Sequence, residues 1–229
     1  MLGFDYLIIS NQIFDPTQVC STFELFSSIG VKNFCFTYSV DLANESLSLA
    51  LVRIKAFRKE LSRLCPRGCK AFLFPSLVLH EDVVRNPVIS SFSVGSRMIF
   101  LEFPLVDDPL NKSWLNENLN YLIRKQNLSP LFLSFETPMQ LSSLEQLDRF
   151  LRLSGLSFAL DLNFLISDSN HCWMKSMLNG GISIFPSISK ELFYYPAIER
   201  TVNEFSATIG FERYANLCRL FHDRKSFIF

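Results

Sequence analysis

Seven short apolar runs punctuate the chain, and longer segments with apolar residues every three or four positions lie between them. The runs are FDYLII (4–9), NFCFTY (33–38), KAFLF (70–74), MIFLEF (98–103), PLFLSF (130–135), SFALDL (157–162) and GISIF (181–185). Near-continuous apolar runs of this length read as strands buried on both faces. The segments between them read as covering helices. Asp15-Pro16 opens the first as N-cap and first helical residue, Val19, Phe23 and Phe26 form its apolar face, and Gly30 stops it. A second helix spans roughly 46–64. Leu47, Leu51, Ile54, Phe57 or Arg58, Leu61 and Leu64 lie near its inward stripe, while Lys55, Arg58 and Lys59 face water. A third covers 113–125 with Leu115, Leu119 and Leu122. Ser142 and Glu145 form a capping box for a fourth, which packs through Leu144, Leu147 and Leu151. Two helices close the chain, one through Ile198, Val202 and Phe205, the other through Tyr214, Leu217 and Phe221. The polar connection between the third and fourth strands carries at most one short helix.

Strands alternating with helices predict a parallel sheet covered by helices. No glycine-rich phosphate loop follows the first strand, so a closed or nearly closed α/β barrel is the better reading than a dinucleotide fold. The 229 residues fit a single domain, 1–229, with no repeat or linker.

Composition narrows the partners. Lys plus Arg total 22 and Asp plus Glu total 22, which gives no electrostatic case for nucleic acid or an anionic membrane. No 18-residue apolar run and no leader-like N-terminus is present, so the expectation is a cytoplasmic protein without membrane insertion. Phenylalanine occurs 24 times, enough to fill a core and to furnish a surface for a protein partner or a homo-oligomer. Of six cysteines, Cys20 and Cys35 read as core, and Cys65 and Cys69 in CPRGC as free half-buried thiols, one residue too far apart for a zinc knuckle.

Catalytic groups of a parallel α/β barrel sit at the C-terminal strand ends. There this chain offers hydroxyls and carboxylates but no histidine. His80, His171 and His222 read as solvated or capping residues. No H-x-H or H-E-x-x-H occurs, and a serine nucleophile would lack a base. Glu102, ending MIFLEF among apolar residues, must be paired, hydrogen-bonded or protonated. It reads either as a ligand or acid–base group, or as a structural tie to backbone amides or to Arg97 or Arg124. Glu136 and Asp161 are the other candidate catalytic carboxylates. Asp5 reads as closing a strand end.

The order of elements resembles the polymerase-and-histidinol-phosphatase (PHP) superfamily, specifically its capsular-polysaccharide-type protein-tyrosine phosphatases. The resemblance spans nearly the whole chain and rests on framework. It implies a distorted seven-stranded, TIM-like barrel and an ancestry in metal-dependent phosphotyrosine hydrolysis. Matched position by position, the opening aspartate is Asp5, while Leu7 and Ile9 stand where the family has its H-x-H pair. Ser39, after Thr37-Tyr38, replaces a ligand histidine, and Ser76, after Phe74-Pro75, replaces a ligand glutamate. Glu102 retains a ligand glutamate. Ser134 replaces another histidine, Glu136 remains, and Thr137 replaces the phosphate-contacting arginine. Ser187 and Ser189 stand for the aspartate and histidine of the last motif. Phe193, Tyr194 and Tyr195 follow where the family has its substrate arginine, and form a lid or contact surface.

With those ligands replaced, the resemblance implies a noncatalytic relative that needs no metal and no cofactor. Such a relative would act as a binding or regulatory scaffold, linked to exopolysaccharide or tyrosine-kinase signalling. Two other readings stay open, a metal-free hydrolase built on Glu102, Glu136 and Asp161, and a residual metal-dependent tyrosine phosphatase.

Overall fold

The computed structural model describes residues 6–11, 15–28, 31–81, 87–93, 97–103, 110, 113–133, 144–152, 156–161, 177 and 182–188. Its strands are β1 (Tyr6–Asn11), β2 (Asn33–Val40), β3 (Lys70–Val78), β4 (Met98–Glu102), β5 (Ser129–Leu133), β6 (Ser157–Asp161) and β7 (Ser183–Ile188). All neighbouring strands pair in parallel and in chain order, and β7 returns to β1 through Ile8–Ser187 and Ile9–Ile188, which closes the sheet. The helices are α1 (Pro16–Ser28), α2 (Leu47–Leu64), α3 (Ser113–Asn120) and α4 (Leu144–Leu151), with a 3-10 helix at Pro87–Phe92. The expected α/β barrel is thus present.

Capping chemistry starts the helices where the sequence predicts. The Asp15 carboxylate accepts from the Thr17 amide at 2.9 Å, and the Ser46 hydroxyl accepts from the Leu49 amide at 3.4 Å. Val19, Phe23 and Phe26 are buried as expected. On α2 the inward residues are Ala50, Ile54, Phe57 and Leu61, while Leu51 is 51% exposed. The expected stripe holds at Leu47, Ile54, Phe57, Leu61 and Leu64 and fails only at Leu51, whose place Ala50 takes. The hydrophobic residue beside the small Ala50 points outward because the latter aligns with Ile54 and Leu61 on the face that meets the sheet.

The helix over 113–125 is not uniform. It ends in a π-helical turn, Tyr121–Lys125, and Asn127 follows at φ 54°. That left-handed residue lets the chain leave the helix, and asparagine tolerates it better than most non-glycine residues. Leu115, Leu119 and Leu122 are buried as expected. On α4 the side chain of Phe150 is buried and Leu151 half-buried. Leu144 and Leu147 have side chains outside the described set, as do Gly30, Ser142 and the two closing helices.

Strands β2 and β3 run further than their apolar runs. Ser39 and Val40 extend β2, and Pro75, Ser76, Leu77 and Val78 extend β3. Pro75 was expected to end its strand. Its φ is compatible with extended backbone, so it costs the ladder only one donor.

Two aromatic clusters hold the layers together. Phe23 of α1 meets Phe34 edge-on at 4.8 Å and Phe36 at 5.5 Å. Phe132, Phe150 and Phe158 join β5, β6 and α4, with Phe103 stacked on Phe132 at 4.5 Å. Much of the phenylalanine surplus is core.

Candidate functional site

The side chains that face the barrel interior follow from strand parity. Phe34 and Phe36 meet α1, so Cys35, Thr37 and Ser39 on the alternate positions of β2 face inward. Paired residues of parallel strands share a face, which carries the interior through Phe72, Phe74 and Ser76 of β3 to Phe100 and Glu102 of β4. Three polar residues therefore meet at the C-terminal end of β2, β3 and β4.

Ser39 donates its hydroxyl to Oε2 of Glu102 at 2.9 Å, and Ser76 donates to Oε1 through a short contact. The Leu79 amide donates to the Glu102 backbone oxygen at 2.9 Å, tying the strand ends together. Glu102 is half-buried, and Ser76 is fully buried. Burial pushes the Glu102 carboxyl above the ordinary glutamate range, and the two hydroxyl donors pull it down without cancelling that push. The floor under the cluster is aromatic. Phe74 stacks on Phe100 at 5.4 Å and on Phe72 at 6.2 Å. Among the described residues, serine hydroxyls stand in for the expected arginine or backbone partner.

Just past the ends of β2 and β3 lie Asp41 and His80. His80 Nε2 is 2.9 Å from Asp41 Oδ1, and both side chains are about one-third exposed. Asp41 also accepts from the Ala43 amide at 3.0 Å and from Asn44 Nδ2 at 2.7 Å. Burial works against the ionised Asp41, but the bonds from Asn44 and Ala43 and the neighbouring imidazole outweigh it and hold its carboxyl below the usual aspartate value. Asn118 of α3 donates to the backbone oxygens of His80 at 3.4 Å and Glu81 at 3.1 Å. His80 is thus partly exposed, as expected, and is also held in place by these contacts. Asp41 directly follows the last residue of β2, and His80 lies two residues past the end of β3, so the two chain exits bring them together. The carboxylate fixes the imidazole, an arrangement able to exchange a proton with a group at the mouth.

The other candidates are dispersed. Asp161 pairs in register with Ser187 on the interior face, and Ser187 is buried. Asp161 is half-buried and engaged within the protein. Ile9 pairs with Phe36, so it belongs to the face toward the helices, and Ile8 occupies the interior level beside Ser187. Ile9 therefore does not stand at an inward ligand position. The one-residue offset arises because a strand's faces alternate, and a framework match without retained ligands does not fix that parity. Leu7 pairs with Phe34, and its side chain lies outside the described residues, as do Asp5, Ser134, Glu136, Thr137, His171, Ser189, Phe193, Tyr194, Tyr195 and His222.

The described residues do not fit a multinuclear metal centre. Among the described residues no three or more histidine, cysteine, aspartate or glutamate side chains are grouped to hold an ion. Glu102 is surrounded by neutral hydroxyls, which are weak ligands. No described helix is long and apolar enough to cross a membrane.

No family model matches the chain, and no curated protein does. Solved structures do. A zinc-bound amidohydrolase from Burkholderia ambifaria aligns at TM-score 0.41 and 11% identity, over 91% of this chain and 74% of that one. A truncated 3-deoxy-D-arabino-heptulosonate 7-phosphate synthase from Thermotoga maritima gives TM-score 0.37 and 11% identity, over 96% and 86%. The crystal structures of YwqE from Bacillus subtilis and CpsB from Streptococcus pneumoniae, described as unique metal-dependent tyrosine phosphatases, match at TM-score 0.66 and 11% identity, over 95% of this chain and 88% of that one. At high coverage and low identity, the fold of this chain resembles that of these metal-dependent phosphatases.

Proposed function

We propose that this chain is a noncatalytic, PHP-type relative of the metal-dependent tyrosine phosphatases, a single seven-stranded barrel domain used as a binding or regulatory scaffold. The observation that carries the reading is the engagement of Glu102. Both of its oxygens accept hydroxyls from Ser39 and Ser76. In the family correspondence those two positions belong to metal ligands, and here they carry side chains that satisfy a carboxylate instead. Phe74 and Phe100 fill the interior beneath. A phosphate dianion at this mouth would meet a carboxyl group and no described cluster of metal ligands. Electrostatic stabilisation of phosphoryl transfer would lack its main source.

The same reading places the protein in the cytoplasm, near exopolysaccharide or tyrosine-kinase signalling. Its contact with a protein partner or a second copy would run through Phe193, Tyr194 and Tyr195. Leu7, Ser134, Thr137, Ser187 and Ser189 are its remaining substituted positions, with Glu136 and Asp161 as residual carboxylates. The test is hydrolysis of phosphotyrosine peptides with added manganese or zinc, beside elemental analysis of the purified protein. Background turnover and substoichiometric metal are expected. Turnover that copurifies with the protein and falls in Glu102→Gln would overturn the reading.

The metal-free hydrolase is favoured by one observation of its own, the Asp41–His80 contact above the serines. It requires ester hydrolysis in the presence of a chelator that is lost in His80→Gln, and the absence of such activity removes it.

A further inference from the structure

The connector CPRGC joins α2 to β3 at the end of the barrel opposite Glu102. Cys65 is the C-cap of α2, and its amide donates to Leu61 oxygen at 3.1 Å. The Pro66 carbonyl accepts from the Cys69 amide at 3.1 Å, closing a four-residue turn with Gly68 at φ 85°. A turn with glycine in that conformation at its third position reverses the chain tightly. The Cys65 sulfur lies 3.8 Å from the same Pro66 oxygen. One oxygen is therefore the common neighbour of the Cys65 sulfur and the Cys69 backbone nitrogen, so the two cysteines are separated by no more than two hydrogen-bond lengths at these atoms. Both are free and half-buried. Immediately after Cys69, the Lys70 amide bonds Lys32 oxygen at 2.7 Å and enters the sheet, so the turn is held at both ends.

We propose that Cys65 and Cys69 form a reversible intramolecular disulfide, a redox latch between the end of α2 and the start of β3. The turn closed at Gly68 sets both cysteines against one carbonyl, that of Pro66, and the disulfide requires their Cα atoms to come within about 7 Å. Glutathione disulfide is the oxidant class. The Cys69 thiolate attacks it, and one glutathione thiolate leaves. The Cys65 thiolate then attacks the Cys69 sulfur of the mixed disulfide and expels the second. Two protein thiols lose two electrons and two protons, and one glutathione disulfide becomes two glutathione molecules. The order follows from the surroundings of Cys65, whose thiol is pushed up by burial and by the neighbouring Cys69, which makes it the resolving partner.

The experiment uses the folded full chain in glutathione redox buffers, quenched with a thiol-alkylating reagent and digested with trypsin. Cleavage after Arg63, Arg67 and Lys70 separates the two cysteines, so the disulfide appears as peptide 64–67 joined to peptide 68–70. This cross-link is expected as the main oxidised product, and Cys65→Ala is expected to leave a persistent glutathione adduct on Cys69. Ring closure in the folded chain is expected to be favoured by about tenfold or more over the urea-unfolded chain, because the fold holds the turn closed. Glutathione adducts that persist on both cysteines without the cross-link, no reaction at either, or closure no better folded than unfolded would each overturn the proposal.

Discussion

Replacing Phe100 with alanine tests whether the barrel interior is filled. Phe100 is fully buried and stacks on Phe74 at 5.4 Å, directly below the level of Glu102. The backbone around it belongs to a closed sheet, so the walls have little freedom to collapse into the space left by the ring. Truncating a buried phenylalanine typically costs about 3–5 kcal/mol, the upper part where the site cannot relax. A stacked aromatic pair adds about 0.5–1.5 kcal/mol beyond its area. A loss of about 4 kcal/mol is therefore expected, a large share of the roughly 5–15 kcal/mol that holds a domain folded. At a urea slope of about 2.5 kcal/mol/M, the unfolding midpoint would fall by about 1.6 M. Phe100→Leu, which keeps most of the volume, is expected to lose under about 1.5 kcal/mol. The Phe74→Ala and Phe100→Ala losses should be non-additive by at least about 0.5 kcal/mol, because the rings touch. Urea unfolding followed by circular dichroism supplies every value. A loss below about 1 kcal/mol for Phe100→Ala would mean a loosely packed or open interior and would refute the filled barrel.

Three further outcomes follow from the same geometry. The folded Glu102 carboxyl sits above its unfolded value, so its contribution to stability is fully present below the unfolded value and is lost as pH rises through the folded one; Glu102→Gln should flatten that decline in pH-dependent urea titrations, and an unchanged slope would count against it. Asp41 has the opposite sign, with stabilisation present above its unfolded value and lost as pH falls through the depressed folded one, so Asp41→Asn should remove part of the acid sensitivity, whereas an identical acid midpoint would contradict the rim network. On α2, Ile54→Ala should cost about 2–4 kcal/mol and Leu51→Lys less than about 0.5 kcal/mol in thermal or urea melts, and the reverse ranking would show that the inward face is misassigned.

The succession of strands and helices was legible in the chain because its causes are local. Apolar runs such as MIFLE and SFALD commit to strands, Asp15 and Ser46 bond amides two or three residues away, and Val19, Phe23 and Phe26 repeat with the helical turn. Those features also carried the barrel and its resemblance to the phosphatases. The site was less legible, because its contacts join residues far apart in the chain. Ser39 and Ser76 reach Glu102 across 63 and 26 positions, and only the register of β2, β3 and β4 brings them together. Tertiary packing also decided parity. It set Ile8 inward in place of Ile9, Ala50 inward in place of Leu51, and continued β3 through Pro75, because sheet pairing and the α1 and α2 contacts outweigh the local signals at those positions. His80 shows the same division. Its neighbours Glu81 and Asp82 suggest solvent, yet the end of β3 brings it to Asp41 at the end of β2, a partner 39 residues earlier in the chain. Residue type alone predicted that Glu102 would be paired, hydrogen-bonded or protonated, since an ionised carboxylate among apolar residues is costly. Which groups would meet it depended on a closed ring of strands, whose shared faces bring distant side chains within hydrogen-bond reach.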